Sequence, residues 1–269
     1  MHLKRWITGI ASLPILVYFI VGGPFQFFLL LVLVALLSLW EYYHIAFSEL
    51  DFSFSFLLAA TGLICAPAIL LSAYLNRFDM VAMCVGINTV ACGVISVFVF
   101  NRSPQHIQYV FRQIAGIVYV PLALSLLISI RLGADGWQWI LFFLFTIFAG
   151  DIGAFYVGSY WGRRKLCPTI SPGKTVEGAL GGIMANIVVG FSLKAFLLPR
   201  LDWLPCLFLF VSIGAAGQIG DLFESQMKRV AGIKDSGTLL PGHGGFLDRI
   251  DALLFAIPLA YTFRFFVLT

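Results

Sequence analysis

The chain has 269 residues and a formal net charge of +4, with 60% hydrophobic and 11% charged residues. A soluble domain carries about 25% charged residues. Less than half that fraction, in a chain of mean hydropathy +0.96, excludes an ordinary soluble domain and predicts an all-α, polytopic integral membrane protein. No nucleic-acid partner is expected. The five cysteines, at 65, 84, 92, 167 and 206, form no CxxC pair and suggest neither a disulfide framework nor a zinc site.

Hydrophobic runs long enough to cross a bilayer predict about nine spans: 6–23, 25–47, 54–75, 80–100, 114–131, 137–160, 179–198, 203–223 and 251–268. The first follows Lys4 and Arg5 and reads as a retained anchor, because no small-x-small cleavage site follows its apolar core. Residues 1–135 read as transmembrane scaffold and 136–269 as the catalytic region, one membrane-embedded unit with no soluble domain. Glu41, His44 and His106 fall near span ends and read as interfacial residues rather than ligands. The six tryptophans also lie near span ends, as expected of an aromatic belt. Lys194 lies near the end of its span and can snorkel.

Lysine and arginine set the orientation. With the N-terminus inside, the inside segments hold twelve of the seventeen: Lys4, Arg5, Arg102, Arg112, Arg163, Arg164, Lys165, Lys174, Lys228, Arg229, Lys234 and Arg249. The outside segments hold Arg77, Arg131, Arg200 and Arg264. The loop after span six and the stretch after span eight are therefore expected to face the cytoplasm.

The chemistry concentrates in the second half. Asp151 lies about ten residues from the inner end of span six, roughly 15 Å deep. A carboxylate there needs a polar cavity or a partner, and the small residues Ala149, Gly150, Gly153, Ala154, Gly158 and Ser159 permit close helix packing around it. In the loop that follows, Gly173-Lys174-Thr175 is not a P-loop: position 168 is proline where that motif needs glycine, and no preceding strand is expected. Ser171, Lys174, Thr175 and Glu177 nevertheless stand at a glycine-rich helix start, where N–H groups and an ammonium can meet a phosphate. A basic inside loop obeying the topology rule accounts for the same residues.

Span eight ends with Asp221, Glu224, Ser225 and Lys228 at i, i+3, i+4 and i+7, so one face turns polar. The chain leaves the helix through Gly232 and Gly237 and turns at Pro241-Gly242. His243, Gly244 and Gly245 follow, then Asp248, Arg249 and Asp251 at the mouth of the last span. Bare glycine backbone lets a phosphate approach closely. Carboxylates beside that phosphate call for an intervening cation, and oxygen ligands without a His/Cys cluster favour Mg²⁺ over zinc.

From Ser225 to Asp251 the chain resembles the signature of the phosphatidate cytidylyltransferases, the CDP-diacylglycerol synthases. Ser225, Met227, Lys228, Arg229, Lys234, Asp235, Gly237, Leu240, Pro241, His243, Gly244, Gly245, Phe246, Asp248, Arg249, Ile250 and Asp251 all fit, with no departure. The stretch from Asp151 through Gly178 is also similar to that family. The resemblance implies that CTP and phosphatidic acid give CDP-diacylglycerol and diphosphate, with Mg²⁺ required. It also implies a homodimer and a binuclear cation site at Asp221 and Asp248. Lys228, Arg229, Lys234 and Arg249 are then expected to hold phosphates, with Lys174, Ser171 and Thr175 closing over the nucleotide. Asp151 would line the headgroup cavity or support the metal, and Asp235 and Asp251 would ligate metal or orient the basic residues. His243 is expected to donate a hydrogen bond to phosphate. The expected location is a bacterial inner membrane, with lipid around the protein and the site facing the cytoplasm. The alternatives are a CTP-dependent polyprenol or other lipid kinase and, in a different class, a transporter. A transporter predicts charges spread through spans of both halves, and the first half has few.

Overall fold

The structure is a computed structural model and describes residues 13–48, 52–100, 106–237 and 244–267. Among the described residues, eight helices are long and apolar enough to cross a membrane. Of the first expected span, the described part is a ten-residue helix, α1 (Leu13–Gly22). The contacts divide the chain into two units, Met1–Ser129 with Val230–Arg249, and Ile130–Arg229 with Ile250–Thr269.

The first unit is built on α2 (Pro24–Ala46), α3 (Phe52–Tyr74), α4 (Phe78–Val99) and α5 (Ile107–Ile117). Pro24 starts α2 where a proline is harmless, at a position whose N–H has no intrahelical acceptor. Pro121 lies inside a π turn, Val118–Leu122, that joins α5 to α6 (Ala123–Leu132). A proline inside a helix removes one backbone hydrogen bond, and the wider turn absorbs that defect. Leu39, Leu58, Ile69, Leu70 and Ile117 are fully buried. Among them sits a closed amide pair: Asn88 Nδ2 donates to Gln113 Oε1 and Gln113 Nε2 to Asn88 Oδ1, both at 3.0 Å. Gln113 Nε2 also reaches Thr61 Oγ1 at 3.2 Å. Apolar packing between membrane helices is weakly directional, and such a pair fixes register. α5 starts seven residues before the apolar run that marked it, because Ile107–Gln113 is amphipathic rather than uniformly apolar.

The second unit holds α7 (Gly136–Trp161), α8 (Val176–Leu197) and α9 (Trp203–Val230). It also holds all but the first turn of α10 (Leu247–Thr262), which a π turn extends over Phe263–Val267. Glycine brings α7 and α8 together. A Cβ at Gly178 would lie 2.8 Å from the Ala154 carbonyl oxygen and 3.0 Å from Gly158 Cα, and one at Gly182 2.8 Å from the Gly150 carbonyl. α9 and α10 approach as closely, since a Cβ at Gly220 would lie 2.6 Å from the Asp251 carbonyl. α9 is 28 residues long. Gly232, two residues past its end, has φ +70°, a left-handed conformation that terminates a helix and suits glycine. Lys194 is buried, with Nζ donating to the Pro199 carbonyl at 3.3 Å and lying 4.1 Å from the Trp203 ring centre. Trp139 differs from the expected belt: it is buried, with the Arg264 guanidinium 5.1 Å from its ring.

Between α7 and α8 the chain forms an antiparallel hairpin, β1 (Lys165–Cys167) and β2 (Ser171–Thr175), where the sequence suggested no strand. Its turn closes with Ile170 N–H donating to the Cys167 carbonyl at 3.2 Å.

Candidate active site

The hairpin presents its residues to α9. Lys174, on β2, places Nζ 2.7 Å from Asp221 Oδ2. Their side chains are 21% and 39% exposed, so the pair is partly screened. Arg229 Nε donates to the Ile170 carbonyl at 3.2 Å, a second tie between hairpin and helix. Thr175 caps α8, its hydroxyl accepting from Gly178 N–H at 3.1 Å. Glu177, in the first turn of α8, accepts from the Arg163 and Arg164 N–H groups at 3.0 and 3.1 Å. Thr175 and Glu177 therefore shape the hairpin, while Ser171 lies half-buried at the start of β2. Gly173-Lys174-Thr175 belongs to a strand rather than to a phosphate-cradling loop, which separates it further from a P-loop.

The polar face of α9 forms as its spacing predicts. Ser225 Oγ donates to Asp221 Oδ1 at 3.3 Å, and Lys228 Nζ lies 2.5 Å from Glu224 Oε2. Glu224 is fully buried, so its charge is matched inside the helix surface. Asp251, on α10, is buried and has Asp221 and Asp151 within electrostatic reach. Asp151 itself is exposed on α7. The unit thus gathers Asp151, Lys174, Asp221 and Asp251.

The signature loop is organised within the other unit. Lys234 and Asp235 are exposed. Gly244 has φ +77°, which only glycine adopts without strain, and its Cβ would lie 2.6 Å from Asp248 Oδ2. Asp248 Oδ2 accepts from Gly245 N–H at 2.8 Å and Ser236 N–H at 3.1 Å. The reach back over three residues to Gly245 resembles a capping box at the start of α10. Arg249 is exposed. His243, expected to contact phosphate, lies outside the described residues with Leu240, Pro241 and Gly242.

Two residues of this loop's support escaped the sequence. Glu41, expected at the interface, is instead 3% exposed. Its Oε1 accepts from Phe246 N–H at 3.1 Å, and its Oε2 accepts from Leu247 N–H and Ser236 Oγ, both at 2.9 Å. Ser236 is buried as well. A lone carboxylate among the apolar residues of α2 was the available signal, since burial there demands partners.

The donor set fits a hard divalent cation. Carboxylate oxygens are hard ligands, and Asp221 already takes a cation, the Lys174 ammonium, as partner. Among the described residues no three His, Cys, Asp or Glu side chains form a metal-ligating group. Mg²⁺ in general takes one or two carboxylates and completes its shell with water and substrate phosphates.

The helices long enough to cross a membrane thus carry carboxylates, lysines and arginines on a hairpin and a helix end in one unit and beside a glycine pair in the other. The chain belongs to the cytidylyltransferase family, whose model it matches over residues 3–267, and is a nucleotidyltransferase. It is 32% identical over 258 residues to a phosphatidate cytidylyltransferase of Staphylococcus epidermidis, covering 95% of this chain and 96% of that one. It is 44% identical over 147 residues to the phosphatidate cytidylyltransferase of Bacillus subtilis, covering 54% of each. Identity to a Staphylococcus aureus phosphatidate cytidylyltransferase is 40% over 126 residues, 47% of this chain and 48% of that one.

Proposed function

We propose that this protein is a phosphatidate cytidylyltransferase of phospholipid biosynthesis. It joins CTP and phosphatidic acid into CDP-diacylglycerol and releases diphosphate. A phosphate oxygen of the lipid attacks the α-phosphorus of CTP, a new P–O bond forms, and the bond to the β-phosphate breaks. The observation that carries the reading is the run from Ser225 to Asp251, which fits the signature at every specified position. The near full-length similarity to a protein of that name supports it.

The nucleophile is already an anion, so the reaction needs charge neutralisation more than a general base. Lys228, Arg229, Lys234 and Arg249 hold phosphates and the leaving diphosphate. Lys174 and Ser171 close over the nucleotide from the hairpin, which Thr175 and Glu177 hold in shape. The Gly244 backbone, with His243, meets phosphate oxygens, while the Gly245 N–H stays with Asp248. Asp151 lines the headgroup cavity, and Asp251 orients the basic residues. Magnesium held by Asp221 and Asp248, with a second cation beside it, would supply the remaining positive charge along the phosphates. The lysine and arginine bias supports a site facing the cytoplasm, where CTP is found, in a bacterial inner membrane. We assign a homodimer on the family resemblance.

The test incubates purified protein with Mg²⁺, labelled CTP and phosphatidic acid. A lipid carrying the cytidylyl label is expected. A newly phosphorylated lipid alcohol would overturn the reading in favour of a kinase.

A further inference from the structure

We propose that Glu41 is a positioning residue that sets the start of α10, and with it Asp248 and the glycine pair, from a helix more than 190 residues earlier in the chain. Five hydrogen bonds bracket the segment 238–243, three to Glu41 and two to Asp248 Oδ2. Before the segment, Ser236 gives its hydroxyl to Glu41 and its N–H to Asp248. After it, Gly245 gives its N–H to Asp248, and Phe246 and Leu247 give theirs to Glu41. Phe246 and Leu247 stand at the helix start, where backbone N–H groups have no intrahelical acceptor. One buried carboxyl on α2 thus ties both ends of the loop and the first turn of α10.

Glu41 also accounts for two glycines of the motif. A Cβ at Gly237 would collide with Glu41 Oε1, and one at Gly245 with Glu41 Oε2 and Ser236 Oγ. These glycines leave room for the carboxyl. At 3% exposure Glu41 does not meet substrate, so its influence on the reaction runs through the loop.

Glutamine cannot replace it. Both oxygens of Glu41 accept, and an amide has only one acceptor. Whichever way a glutamine amide turns at this position, its NH₂ faces a backbone N–H, of Phe246 or of Leu247. The effect on catalysis rests on the proposed function, whereas the effect on the loop does not.

The experiment compares wild type, Glu41→Gln and Ser38→Ala in the full-length, detergent-purified protein. Ser38 is equally buried one turn earlier on α2. Hydrogen exchange is read on peptides covering 232–250 and on peptides of α3 and α4, and CTP kinetics are measured alongside. In Glu41→Gln, exchange of the 232–250 peptides is expected to accelerate at least tenfold while α3 and α4 stay as in wild type. Its kcat/KM is expected to fall on the order of 10²-fold, the effect of displacing a reacting constellation by about 1 Å. Ser38→Ala is expected to change neither. Unchanged exchange over 232–250 in Glu41→Gln would overturn the proposal, and so would equal loosening of α3 and α4. A wild type that makes no cytidylyl lipid would instead remove the functional reading, leaving the exchange result to decide on Glu41.

Discussion

Replacing Lys174 with methionine separates two roles that the ion pair with Asp221 combines. At 2.7 Å and an effective dielectric constant of about 20, the Coulomb attraction has an upper limit of roughly 6 kcal/mol. Exposures of 21% and 39% reduce the net value to about 1 kcal/mol at most. A divalent cation binding Asp221 must displace that ammonium, so Lys174→Met removes this competition. Mg²⁺ is expected to bind the nucleotide-free variant more tightly, by up to roughly fivefold, as about 1 kcal/mol implies. On the proposed function the same variant loses a phosphate contact, so its KM for CTP is expected to rise. The assays are isothermal titration of Mg²⁺ into detergent-purified protein without nucleotide, and steady-state kinetics with CTP. Opposite movement of the two affinities is the signature. Mg²⁺ affinity that is unchanged or weaker in Lys174→Met would refute the assignment of the cation to Asp221.

Asp221→Asn and Asp248→Asn are each expected to abolish CTP-dependent lipid product in membranes where the protein still folds, and full activity in either removes that residue from the cation site. Gly178→Ala sets a methyl group against the Ala154 carbonyl and Gly158 Cα, both backbone; a loss of about 1–3 kcal/mol, typical of overpacking, is expected as a lower melting temperature. Asn88→Leu or Gln113→Leu leaves a buried amide partly unsatisfied, at about 1–3 kcal/mol each, and the double variant is expected to lose less than the sum; additive thermal shifts would show that the pair is uncoupled. Cysteines introduced at 200 and 235, in a background lacking the native five, test sidedness. A membrane-impermeant reagent outside intact cells is expected to label position 200 only, and labelling of position 235 alone inverts the topology.

The spans were legible because a bilayer demands about twenty apolar residues, and six of the eight long helices coincide with runs that supply them to within a few residues. α5 is one exception, since half of its first turns are polar and its apolar count starts late. α9 also outruns its apolar stretch: Asp221 to Arg229 stay helical on a mixed face, whose polar side the i, i+3, i+4, i+7 spacing did reveal. The hairpin was not legible, because strands of three and five residues leave too short an alternation to read. Its geometry is instead set by Thr175 capping α8 and by Glu177 holding the N–H groups of residues 163 and 164. Glu41 looked like one more charge at a span end. Its partners are 195 to 206 residues away, and no local pattern encodes such a separation.

The length of α9 makes it a depth gauge. Its 28 residues rise about 42 Å, against a hydrocarbon thickness of about 30 Å. Measured from the exposed Trp203 at its first residue, roughly twenty residues cross the apolar layer. Asp221 then stands at the far boundary, with Ser225 and Lys228 among the headgroups. On the proposed function, a phosphate carried by a lipid reaches that level while its acyl chains stay where they were, so no lipid need be lifted out of the leaflet to react. The thickness of the surrounding bilayer would then be a variable of that chemistry, because it sets where the Asp221 carboxylate meets the headgroup plane.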